Sequence, residues 1–201
     1  MEEVFTHIYE TAVWGNNKNK DYNGSSGGGS DVHYNITTYI PFLQKFIKDH
    51  SIKTVVDLGC GDFKCGPYIY NELDVTYTGY DTYNKVVVHN KNVHSLPKYN
   101  FIHIDFSSKK EEIIGGDLCI LKDVIQHWDL KNIYQFLDYL VESKKFKYIL
   151  LCNCCGQTTD NTDIENGGGR PLSAKFFPLK KYSPVVLYTY NTKEVSVITL
   201  V

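Results

Sequence analysis

The chain has 201 residues, comfortable for one domain with a sizeable core and tight for two. Hydrophobic residues make up 42% and aromatics 14%, ordinary values for a soluble globular protein. A net charge of −2, with 21 basic against 23 acidic residues and no basic block, argues against a nucleic-acid partner.

Chain order then gives the expected elements. Met1 to Phe5 carries neither the basic segment nor the apolar core of a signal peptide. The stretch 24–30 is a Ser/Gly loop. Ile36, Tyr39, Ile40, Leu43, Phe46 and Ile47 recur at helical spacing, with Pro41 expected to bend or restart the helix. Thr54 to Leu58 is a β-branched run ending in a glycine loop, the pattern of a buried parallel strand. Further strands are expected over 75–80, 101–104, 118–121 and 148–151. Asp129 is placed to cap a helix whose apolar face is Ile133, Phe136, Leu137 and Leu140. Residues 185–190 and 195–201 flank Asn191 to Glu194 as an antiparallel hairpin. Strands alternating with helices predict an α/β fold, a mostly parallel sheet covered on both faces. No apolar run reaches the roughly 20 residues needed to cross a bilayer, so no membrane insertion is expected.

The six cysteines are Cys60, Cys65, Cys119, Cys152, Cys154 and Cys155, and they lack the paired spacings of a zinc site. They are expected to be reduced thiols in a reducing, cytoplasmic compartment. No tight carboxylate/His cluster is visible, and no metal is expected.

In an open α/β sheet the ligand lies beyond the carboxyl ends of the strands, at the first strand-to-helix turn. Asp57-Leu58-Gly59-Cys60-Gly61 falls there. Gly59 and Gly61 allow a tight turn and close approach to a ligand, and exposed amides of the following helix would favour a carboxylate. Asp57 is suited to a cationic amino group. Asp81, ending the second strand, is suited to both hydroxyls of a ribose. Asp105 and Phe106, ending the third, are suited to an adenine amino group and ring. A dinucleotide fingerprint would need a third glycine where Lys64 stands.

Val55-Val56-Asp57-Leu58-Gly59-Cys60-Gly61-Asp62 resembles motif I of class I S-adenosylmethionine-dependent methyltransferases, and the resemblance runs over about 54–151. Phe5 to Glu10, Trp14-Gly15, Lys122 to Trp128 and Ile164 to Leu172 narrow it. These resemble small sugar O-methyltransferases of polysaccharide and viral glycan synthesis, such as the methyltransferase domain of a chlorovirus glycan-synthesis protein acting on rhamnose. The resemblance implies the Rossmann-like seven-stranded sheet, mostly parallel with its C-terminal hairpin antiparallel. It implies S-adenosylmethionine as methyl donor, S-adenosylhomocysteine as product, and a glycan or sugar acceptor. Neighbouring glycosyltransferase domains and a host-cytoplasmic location, if the protein is viral, follow from the same likeness.

The same resemblance puts the Ser/Gly loop, including Ser30, over the cofactor as a lid within an N-terminal segment 1–33. The Rossmann-like core then covers 34–201. Trp14 is expected to touch cofactor or acceptor. Asp123, ending the fourth strand, and His127, one helical turn later, are expected to share a cleft, with His127 removing the acceptor proton. Arg170, after three glycines, and His33, beside the lid, are expected on the acceptor side. A chain stopping on an expected strand points to excision from a larger protein. Methyl transfer to a small molecule or a protein, and cofactor binding without catalysis, are the alternatives.

Overall fold

The computed structural model describes residues 1–160 and 162–200. Seven strands make one mixed sheet in the order β3-β2-β1-β4-β5-β7-β6. The chain divides into two compact units, Met1–Lys109 and Lys110–Val201. That division falls inside the segment expected to be one core.

The first unit opens with helix α1 (Glu2–Glu10), which buries Phe5, Ile8 and Tyr9. An ordered connection follows, in which Asn16 bridges Gly24 and the Asn17 side chain bonds the Tyr22 carbonyl at 3.0 Å. The short helix α2 (Val32–Asn35) precedes α3 (Tyr39–Asp49). Pro41 lies in the first turn of α3, where its missing N–H costs nothing, so it restarts the helix rather than bending it. Tyr39, Ile40, Leu43, Phe46 and Ile47 form the buried face. Strands β1 (Thr54–Leu58), β2 (Thr76–Asp81) and β3 (Tyr99–His103) pair in parallel, with Asp57 opposite Gly79 and Asp81 opposite His103. Between them lie α4 (Gly66–Tyr70) and α5 (Asn84–Val93), and α5 packs on β2 and β3.

The second unit holds β4 (Gly116–Lys122) parallel to β5 (Phe146–Cys154), joined through α6 (Leu130–Ser143). Asp129 caps α6 as expected, accepting from Asn132 N at 2.7 Å. Ile133, Phe136, Leu137 and Leu140 are buried, each contributing roughly 1.5–3 kcal/mol of transfer free energy. Strands β6 (Val185–Tyr190) and β7 (Lys193–Thr199) form the antiparallel hairpin, and β7 runs antiparallel to β5. The turn is shorter than its polar residues suggest, because Lys193 and Glu194 belong to β7. Both are buried against polar partners: Lys193 with Asp123, and Glu194 with Ser173 Oγ (3.0 Å) and Ala174 N (2.7 Å). Val201, the last residue of the expected second strand, lies outside the described residues.

Candidate functional site

In the first unit, β1 runs into the glycine loop, where Gly59 (φ 84°), Gly61 (φ 53°) and Phe63 (φ 52°) are all left-handed. Four successive amides are paired within the protein. Gly59 N and Cys60 N donate to Tyr80 O at 2.8 and 3.0 Å, Gly61 N to Asp81 Oδ2 at 2.9 Å, and Asp62 N to Ser26 Oγ at 2.8 Å. Exposed amides waiting for a carboxylate were expected. Instead the buried donors find internal partners, as buried donors must, and α4 starts only at Gly66. The Asn90 amide, from α5, donates to Gly61 O at 2.7 Å, so Gly61 is clamped at both its N–H and its C=O. Phe63 sends its ring inward, 4.6 Å from Tyr77 and 5.0 Å from Phe101 by ring centroids.

Asp81 ends β2, is 6% exposed, and accepts from Gly61 N and from Tyr83 N at 3.0 Å. Burial raises its pKa, and the backbone amides of Tyr83, Gly61 and Thr82 work against that rise. A carboxylate offers about four lone-pair sites, so Asp81 retains acceptor capacity for a vicinal diol. Two neighbouring buried oxygens, Asp62 Oδ1 and Thr82 Oγ1, have no hydrogen-bond partner among the described residues. A buried orphan polar atom of this kind fits a polar ligand at the strand ends. The missing Cβ of Gly61 admits Ser26 of the Ser/Gly loop, since a Cβ there would come 2.5 Å from Ser26 Oγ. These residues suit an adenosine-type cofactor.

The Ser/Gly loop lies on the glycine loop. Ser26 Oγ also bonds Tyr9 OH at 2.7 Å, Ser25 Oγ donates to Trp14 O at 3.0 Å, and Ser30 O accepts from Cys65 Sγ at 3.2 Å. Ser30 Oγ turns to Gly27 O at 2.8 Å. Gly24 is required here, because a Cβ would lie 2.4 Å from the Tyr9 carbonyl. Trp14 is half-buried against Phe5 and Tyr9, with centroids 5.8 and 6.1 Å away. Tyr9 stacks on Tyr83 at 4.4 Å, and Tyr83 OH donates to Glu10 at 2.8 Å. Sequence reasoning missed Tyr9, Ser26, Tyr83 and Asn90. The signal for Tyr9 was present in the i, i+3, i+4 spacing of Phe5, Ile8 and Tyr9.

Other expected contacts are engaged elsewhere. Asp57 accepts from Tyr77 OH at 2.8 Å. Asp105 was expected on an adenine amino group, but it closes the start of α1. It accepts from the Met1 ammonium at 2.9 Å and Glu2 N at 3.2 Å, and from Ser107 Oγ at 2.6 Å. Burial opposes its ionisation, yet the Ser107 hydroxyl and the ammonium hold its pKa below the ordinary value. Phe106 is buried, and His33 is exposed on α2.

In the second unit, Asp123 follows β4 in a left-handed conformation (φ 59°). Its carboxylate lies between two lysines, 2.8 Å from Lys122 Nζ and in a short contact with Lys193 Nζ. Burial would raise its pKa, but the two ammonium groups bring it below the usual carboxylate value. His127 ends a short 3-10 turn, with Nδ1 at 2.6 Å from Gly168 O. Gln126 Oε1 accepts from Cys154 N at 2.8 Å, which turns the Gln126 NH2 toward His127 Nε2 at 3.2 Å. The ring is therefore assigned the Nδ1–H tautomer, its Nε2 lone pair held by Gln126. The Gly168 carbonyl and Gln126 orient this ring, while the Asp123 carboxylate is committed to the lysines. Burial lowers the His127 pKa, offset in part by the Gly168 carbonyl and the Asp123 charge.

Arg170 was expected on a loop over the acceptor side, in contact with the substrate. It is 6% exposed and donates to Thr162 O and Trp128 O, each at 2.6 Å. Together with the Asn166–Asp129 pairing at 2.8 Å it laces the loop over 162–170 to residues 126–130. The six cysteines carry thiols, with Cys119 and Cys152 buried.

No family model and no curated protein matches the chain. Solved structures do. The methyltransferase domain of a bacterial Hen1 is 18% identical at a TM-score of 0.62, covering 80% of this chain and 97% of that one. Human N-acetylserotonin methyltransferase, in complex with SAM, is 16% identical at 0.60, covering 78% of this chain and 50% of that one. The bifunctional kinase-methyltransferase WbdD is 12% identical at 0.60, covering 86% and 40%. Likeness at these identities establishes the architecture: the seven-stranded sheet with its antiparallel terminal hairpin is the methyltransferase fold.

Proposed function

We propose that the protein is an S-adenosylmethionine-dependent O-methyltransferase whose acceptor is a sugar hydroxyl, such as a rhamnose of a viral glycan. The observation that carries the reading is Asp81 at the end of β2, bonded to the Gly61 amide with acceptor capacity to spare, on a methyltransferase fold. Asp81 would take both ribose hydroxyls, and the Gly59–Gly61 backbone would lie against the methionine portion. Asp57, Phe106, Trp14 and Ser30 line the same half in this proposal. S-adenosylmethionine, when bound, supplies a methyl group already activated on a sulfonium.

His127 is the proposed general base. Its depressed pKa keeps the ring neutral below the ordinary histidine range, and its Nδ1–H is fixed on Gly168, so Nε2 is the atom that accepts a proton. For this the Gln126 amide must exchange its bond to Nε2 for the acceptor hydroxyl. Asp123 acts by holding Lys122 and Lys193 in place. His33 and the loop braced by Arg170 are the proposed acceptor side.

The test is transfer of a labelled methyl group to a panel of free sugars and glycans. Labelling of rhamnose or another sugar supports the reading, whereas S-adenosylhomocysteine binding with no sugar labelled refutes the acceptor class. A small-molecule acceptor is the second reading, favoured by the N-acetylserotonin named for one of the structural neighbours.

A further inference from the structure

Cys154 and Lys193 are directly opposed across the β5–β7 pair. Lys193 Nζ donates to Cys154 Sγ at 3.1 Å, and the same ammonium is held by Asp123. A lysine amine that approaches a thiol this closely is unusual because lysine is seldom buried, yet Lys193 is 5% exposed. Cys155 N bonds Thr192 O at 2.9 Å, which locks the strand register and the approach of the two side chains. Cys154 itself is only half-buried, unlike Cys119 and Cys152, so a small oxidant reaches it.

We propose that Cys154 and Lys193 are a covalent redox site, joined under hydrogen peroxide by a reversible N–O–S bridge. The first peroxide converts the Cys154 thiol to a sulfenic acid, the entry point of cysteine oxidation. The neighbouring lysine nitrogen then traps it, and a second peroxide accepts the remaining electron pair. One thiol, one ammonium and two hydrogen peroxide molecules give the bridge, three waters and one proton. Sulfur and nitrogen are each oxidised by two electrons. An inserted oxygen requires only a small approach from the 3.1 Å separation, whereas a direct S–N bond would require a much larger one. Asp123 stands beside Nζ to receive the ammonium proton and pass it to water. The bridged nitrogen carries no charge, so Asp123 is left with Lys122 alone. Two equivalents of a dithiol return the thiol, the amine and water.

The experiment is intact mass and tryptic mapping of the full chain after dilute hydrogen peroxide. The bridge adds one oxygen and removes two hydrogens, abolishes tryptic cleavage after Lys193, and links the peptides carrying Cys154 and Lys193. Dithiothreitol should reverse all three. The linked peptide should vanish in Cys154→Ser and persist in Cys155→Ser. Lys193→Arg keeps the charge on Asp123 and should yield Cys154 sulfinic acid instead; if that variant does not fold, Cys154→Ser carries the comparison. Complete cleavage after Lys193, with Cys154 recovered as sulfinic acid or as a disulfide with Cys155, overturns the proposal.

Discussion

Gly61→Ala is the sharpest perturbation of the glycine loop. Alanine at φ 53° costs about 1–2 kcal/mol of backbone strain. Its Cβ would come 2.5 Å from Ser26 Oγ and 3.0 Å from Ser26 Cβ, so Ser26 must move. That gives up the bonds of Ser26 Oγ to Asp62 N and Tyr9 OH, each worth about 0.5–1.5 kcal/mol. The sum is about 2–5 kcal/mol, and at about 2–4 °C per kcal/mol the melting temperature should drop by roughly 4–20 °C. Gly28→Ala is the matched control, because nothing lies within 4 Å of its would-be Cβ. It should stay within about 0.5 kcal/mol of the parent. Adding Ser26→Gly to Gly61→Ala should relieve the clash but recover little stability, because the strain remains and the Ser26 Oγ bonds to Asp62 N and Tyr9 OH are still lost. Calorimetry measures the stability, and amide exchange over residues 24–30 reports whether the loop has lifted, which it should in Gly61→Ala alone. Equal stability of Gly61→Ala and Gly28→Ala, with unchanged exchange over 24–30, would refute the contact between the two loops.

Asp81→Ala should weaken S-adenosylhomocysteine binding by about 1.5–3 kcal/mol in titration calorimetry; undiminished affinity would remove the ribose assignment. His127→Ala should lower turnover by about 10²-fold or more with cofactor affinity intact, and near-normal turnover at saturating acceptor would exclude it as base. With the wild-type protein, the acid limb of the rate profile should fall below the ordinary histidine value, since burial lowers the pKa and only the neutral ring accepts a proton; a limb above that value contradicts the assignment. Asp105 has a depressed folded-state pKa, so its stabilising contribution is present above the ordinary carboxylate value and lost as the pH falls through the folded one. Asp105→Asn should therefore flatten the acid side of the stability curve, and an unaltered curve would show that the contact with α1 contributes nothing.

Strand positions were legible because burial on both faces imposes a local pattern, and Thr54 to Leu58 was read to the residue. The cap at Asp129 was equally local. Lys193 and Glu194 misled because charged residues resemble a turn, and their partners Asp123 and Ser173 lie far away in sequence. The bonds that hold Arg170 were hidden for the same reason. A loop arginine reads as solvent-facing until the carbonyls of Thr162 and Trp128 are seen around it. In the glycine loop, Gly59 and Gly61 were visible as residues for a left-handed backbone and Phe63 was not, and the Ser26–Asp62 bond joins segments 36 residues apart. No spacing rule encodes such a pairing.

Phe63 connects the binding loop to the interior. Its ring lies among Tyr70, Tyr77, Tyr99 and Phe101, yet its backbone is part of the turn that presents Gly61 and Asp62. If the loop holds the cofactor as proposed, its grip would depend on the hydrocarbon packing beneath it. Warming or a truncated ring at position 63 would let the turn wander among conformations while leaving every polar contact residue in place. Affinity would then decline as an entropic loss, well before the protein melts, and the steepness of that decline measures how firmly the aromatic cluster holds the loop.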